Sequence, residues 1–110
     1  MAKSSIEKPL RYHRGITGGT VAKNGTVDLS SYLSKAEVLI ISAFRYGQCC
    51  VFTVPVIRIT SDDMTGGMTQ WGADTSRKVT IKISSTGTLT VVDTTLSGDP
   101  YIRVDYIGYD

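Results

Sequence analysis

Residues 36–59, A-E-V-L-I-I-S-A-F-R-Y-G-Q-C-C-V-F-T-V-P-V-I-R-I, constrain the fold more than any other stretch of the chain. Two apolar, β-branched runs, 38–44 and 49–59, are separated by the polar Arg45-Tyr46-Gly47-Gln48. Runs of this length and composition are strand-like, and a short link containing glycine predicts a hairpin. A helix would need a polar stripe, which neither run has. In a strand, Val38, Ile40, Ser42 and Phe44 share one face, and Leu39, Ile41 and Ala43 the other. Both faces are apolar, so cover is expected on both sides: a second sheet on one, a neighbouring subunit on the other.

A chain of 110 residues supports one domain with one core. A charged fraction of 20% with a hydrophobic fraction of 41% is that of a folded globular protein and excludes a disordered one. The net charge of +2, with no basic patch, gives no reason to expect a nucleic-acid partner. No apolar run approaches the ~20 residues of a membrane span, so no membrane insertion is expected. The first residues lack the apolar segment of a secretory signal. Cys49 and Cys50 are adjacent, and side chains of adjacent strand residues point opposite ways, so a bridge between them would be strained. They are read as free, packed thiols of a chain folded in a reducing cytoplasm.

Along the chain, residues 1–14 show no alternation and concentrate charge, reading as an N-terminal arm, either a frayed terminus or an attachment segment, before a domain over 15–110. Thr20-Val21-Ala22-Lys23 and Thr26-Val27-Asp28-Leu29 flank Asn24-Gly25, a pair suited to positive φ, which predicts a hairpin with Val21, Val27 and Leu29 inward. Residues 30–35 allow at most one helical turn, with Tyr32 and Leu33 plugging an end of the core. Residues 60–77 read as a long polar connection, with Gly66-Gly67 as a turn before a short strand over 68–71. Val79, Ile81 and Ile83 alternate with polar residues, as do Leu89 and Val91. In the last strand Ile102, Val104 and Tyr106 alternate with Arg103, Asp105 and Ile107. Six to eight short strands with almost no helix make the fold class all-β. The expected architecture is a single-domain antiparallel β-sandwich, with jelly-roll and barrel variants open.

Chemistry has little to draw on. The one histidine, His13, lies in the charged N-terminal segment, where exposure is expected, and a catalytic arrangement needs a histidine held beside a nucleophile. Asp62, Asp63 and Asp74 read as turn-forming carboxylates, and their spacing matches no calcium loop. Two cysteines and one distant histidine make no metal-ligand spacing. Gly18-Gly19 and Gly66-Gly67 lack the strand–glycine–helix context of a phosphate cradle. No enzyme activity, metal or cofactor is therefore expected. The sharper candidate is a ligand or partner surface in the long connection. Trp71 could offer an aromatic platform to a sugar beside Gln70, Asp74 and Arg77, with Tyr46 at the 45–48 hairpin tip as a further contact. The competing reading makes Trp71 a core or subunit-interface anchor.

Gly25-Thr26-Val27-Asp28-Leu29-Ser30-Ser31-Tyr32 leads into Ala36-Glu37-Val38-Leu39-Ile40-Ile41, followed by a hydrophobic return strand and a Thr-rich hairpin. The end is the tyrosine-bearing Tyr101-Ile102-Arg103-Val104-Asp105-Tyr106-Ile107-Gly108-Tyr109. This order of features resembles the distal knob domains of bacteriophage and prophage tail fibres and related virion fibre proteins. The resemblance implies a trimeric β-sandwich on a virion, contacting other virion proteins or a host-surface glycan. A stand-alone carbohydrate-binding or adhesin-like module is the alternative, and a small hydrolase the third.

Overall fold

The computed structural model describes residues 9–45, 47–61, 63–69, 78–96 and 98–109. They form two four-stranded antiparallel sheets packed face to face, the expected β-sandwich. The strands are β1 (Arg11–Thr20), β2 (Thr26–Asp28), β3 (Ala36–Arg45), β4 (Gln48–Pro55), β5 (Met64–Thr69), β6 (Lys78–Ile83), β7 (Thr88–Thr94) and β8 (Tyr101–Gly108). The first sheet runs β1-β8-β3-β4 and the second β2-β7-β6-β5. The pairs β1·β8 and β2·β7 are nested, as in a jelly roll, whereas β3–β4 is a plain hairpin and β5–β6–β7 a meander.

Period-two patterning produces the core. Leu39, Ile41 and Ala43 from β3 and Ile102, Val104 and Tyr106 from β8 face Val79, Ile81 and Ile83 from β6 and Leu89 and Val91 from β7, all buried. At the end where β3 begins and β4 finishes, the buried Tyr32 of the 3-10 turn Ser30–Tyr32 and the partly buried Leu33 pack against this core, as expected.

Four expectations are corrected. Asn24-Gly25 is a turn, with Asn24 at φ 72° and the Gly25 N–H donating to the Ala22 carbonyl, but it joins no hairpin. The chain crosses there from β1 in one sheet to β2 in the other, because β1 finds its partner in β8 and β2 in β7. The second apolar run does not remain a strand to Ile59. Pro55 ends β4, and Val56–Ser61 form a short helix, α1, which buries Val56 and Ile59 and exposes Ile57 and Arg58. Gly66-Gly67 is not a turn but the middle of β5, paired with Ile81 and Thr80. His13 is not free in solvent: β1 takes in Arg11–Arg14, and the half-buried imidazole stacks on Tyr106, ring centroids 4.7 Å apart.

Candidate functional site

The two sheets present opposite kinds of outer surface. On the second sheet the outward positions include Thr26, Asp28, Thr65, Lys78, Thr80, Lys82, Thr88 and Thr90, a threonine–lysine face beside which Val92 of β7 also stands exposed. On the first sheet, register places four rows across the strands. Cys49, Phe44, Tyr101 and Thr20 lie side by side, then Val51, Ser42, Arg103 and Thr17, then Thr53, Ile40 and Asp105, then Pro55, Val38, Ile107 and Tyr12. The centre of this face is half-buried only by its own neighbours, while Tyr12, Val51 and Tyr101 stand exposed. The Phe44 and Tyr101 rings meet with centroids 5.1 Å apart. This is the second apolar face of the 38–44 run, and no element among the described residues covers it.

One ion pair is set into that surface. Arg103 and Asp105 are two apart on β8 and therefore point the same way. The Arg103 Nε donates to both carboxylate oxygens at 3.2 and 3.1 Å, and Nη2 donates to Oδ1 at 3.2 Å and to the Tyr12 hydroxyl at 3.3 Å. A bulge in β1 completes the arrangement: Arg14 and Gly15 together oppose Asp105, and the Gly15 N–H donates to Asp105 Oδ1 at 3.0 Å. The charges of Arg103 and Asp105 are thus answered within the face, which keeps a fixed guanidinium at its middle, while Arg14 stands exposed on β1 at the bulge.

The carboxyl of Asp105 feels opposed effects. Burial pushes its pKa up, but the Gly15 N–H and the Arg103 guanidinium outweigh this and hold it below the ordinary carboxylate value. A depressed folded pKa contributes stability that is fully present above the unfolded value of about 4 and is lost as pH falls through the folded one. Thermal melts followed by circular dichroism should therefore be flat down to about pH 5 and fall below about pH 4. Asp28, pulled down by the Ser30 N–H, titrates in the same window, so the informative comparison is with Asp105→Asn, expected to show a smaller acid drop. An undiminished drop would assign the acid sensitivity to other carboxylates.

The nucleophile candidates are kept apart from the histidine. His13 is on β1 and Cys49 and Cys50 on β4, opposite edges of one sheet, roughly 14 Å across at three strand spacings. Cys50 points into the core, where burial raises its thiol pKa to about 11 and keeps it protonated. Asp63 is engaged in structure: Oδ1 accepts the Ser85 N–H at 2.9 Å, and Oδ2 lies 3.8 Å from Lys82 Nζ. Among the described residues no group of three His, Cys, Asp or Glu side chains sits as metal ligands would, and no helix is long and apolar enough to cross a membrane.

The surface residues expected from sequence, Gln70, Trp71, Asp74, Arg77 and Tyr46, lie outside the described residues. Their neighbours are placed. Thr69 pairs with Lys78 at the end of the β5–β6 hairpin, and Arg45 with Gln48 at the tip of β3–β4. Sequence reasoning did not single out Tyr12, Arg103 and Asp105 as site residues. The available signal was the charged pair in outward phase on a strand whose neighbours in the sheet are apolar. Comparison of the chain with family models, curated proteins and solved structures gives no match.

Proposed function

We propose that this chain is a structural protein of a phage particle, a homotrimeric β-sandwich that serves in assembly or host-surface attachment and is not an enzyme. The observation that carries the reading is the asymmetry of the two outer faces: one rich in threonine and lysine, the other centred on Phe44, Ile40, Val38 and Ile107. The ordered resemblance to virion fibre knobs supports the phage assignment. A second copy of the chain is the occupant that suits the apolar face, because the paired Arg103 and Asp105 at its centre answer each other and ask for no oppositely charged partner. Four strands at about 4.8 Å by eight residues at about 3.4 Å make a plane on the order of 500 Å². That is the same order as the ~800 Å² per partner of a stable interface. On this reading the protein folds in the host cytoplasm, resides on the virion, and leaves other surfaces for virion proteins or a host glycan.

Light scattering tests the assembly directly. The wild-type protein should run at three times its 11.9 kDa chain mass at micromolar concentration. The double variant Phe44→Ser, Ile107→Ser should be a folded monomer, since both side chains belong to the outer face and neither lies in the core. A monomeric wild type would overturn the assembly claim; if that monomer bound a glycan array, the stand-alone carbohydrate-binding module would take its place.

A further inference from the structure

The sandwich has two flanks, and they are built differently. On one, β1 closes on β2: a Cβ at Gly18 would meet Val27 Cγ2 at 2.7 Å, so any larger residue there would have to displace the Val27 side chain. On the other, the edge strands β4 and β5 leave a slot of about 340 Å³ between the sheets. Its walls are Phe52 and Val54 from β4, Met64 from β5, and Ile81 and Ile83 from β6, bordered by the exposed Val51, Thr53 and Thr65. The cause is legible in the register. Met64 pairs with Ile83 and Gly66 with Ile81, so Gly66 holds the inward phase of β5 and brings no side chain to it.

We infer that this slot binds a small, neutral, apolar molecule with the bulk of one or two aromatic rings. Among the described residues no charged side chain lines it, so a charged ligand would find nothing there to replace its water. Its walls are side chains of the core, and filling it removes apolar surface from water on both partners. A closed apolar cavity of about 150 Å³ already accepts benzene, and ligand pockets begin near 300 Å³, so the volume suits a ligand of this size. The Thr53 and Thr65 hydroxyls at the mouth would meet a single polar end. The slot lies on the β4–β5 flank, and shares only the border residues Val51 and Thr53 with the outer face of the first sheet.

N-phenyl-1-naphthylamine is the probe. Its fluorescence should rise on titration into the wild-type protein and saturate at about one molecule per chain, as one slot requires. Gly66→Val adds a side chain at this inward position of β5, and should weaken the probe by about tenfold or more while raising the melting temperature. Tyr101→Ser, which alters the outer face of the first sheet, should leave binding unchanged. Independently of any variant, methyl resonances of Met64, Ile81 and Ile83 should shift when the probe is added to the wild-type protein. Unsaturable binding, Gly66→Val binding as tightly as wild type, or shifts confined to the outer face would each overturn the proposal.

Discussion

Ile41→Asp is expected to leave no soluble, folded protein. Ile41 is fully buried on β3, its backbone flanked by Phe52 on β4 and Val104 on β8, both inward-facing. A carboxylate there faces the apolar interior between the sheets, with no cation on that side of the strand among the described residues. Burying an unpaired charge costs several kcal/mol even after relaxation, and a domain of this size holds only about 5–15 kcal/mol in total. The charge wins. Even Ile41→Ala should cost about 2–5 kcal/mol through the cavity it opens. The neighbouring position behaves differently. Ile40 is only half-buried on the outer face, across from Asp105 and Thr53. Ile40→Asp sets two carboxylates side by side at the rim of water, so the chain should still fold, less stably, and lose the proposed assembly. Soluble yield and circular dichroism melts of the two variants check the contrast. A soluble, cooperatively melting Ile41→Asp would refute the placement of β3 between the sheets.

The same contrast marks how far the sequence could be read. Strand phase was legible wherever period two was clean: Val79, Ile81 and Ile83, Leu89 and Val91, and Ile102, Val104 and Tyr106 all point where the alternation puts them. Turn chemistry was legible too, since Asn24 does adopt positive φ. What a turn residue does not carry is the identity of the strands it joins. The partner of β1 is β8, some ninety positions away, and the hydrogen bond from Gly15 to Asp105 spans a separation of 90 residues. The helix Val56–Ser61 was missed because a short apolar run has the same composition in a buried strand and a buried turn of helix. For the candidate surface, the second apolar face of β3 was visible in residues 38–44. The ion pair at its centre was not singled out, because its setting depends on a bulge in a segment that showed no alternation.

That bulge gives the last large effect. A Cβ added at Gly15 would fall on the Val104 carbonyl oxygen and lie 2.8 Å from its carbon. The obstacle is backbone, so no rotamer change relieves it, and β1 must pull away from β8 at this point. The Gly15 N–H then leaves Asp105, and the nearby pairs between Arg11 and His13 of β1 and their β8 partners are placed under strain. The ordinary gain of about 0.5–1 kcal/mol from replacing glycine is small beside this. Gly15→Ala should therefore destabilise the chain by about 3 kcal/mol, a fall of roughly 10–20 °C in melting temperature. Gly47→Ala, at a site with open space around it, should change stability by no more than about 0.5 kcal/mol and serves as the control. A second signature separates loss of the bulge from general damage. Without the Gly15 N–H the Asp105 carboxyl moves back toward its ordinary value, so the acid transition of Gly15→Ala should begin at a higher pH than that of Gly47→Ala. Equal melting temperatures and equal acid transitions would mean that β1 does not close on β8 at the bulge, and that Arg103 alone holds Asp105 in the face.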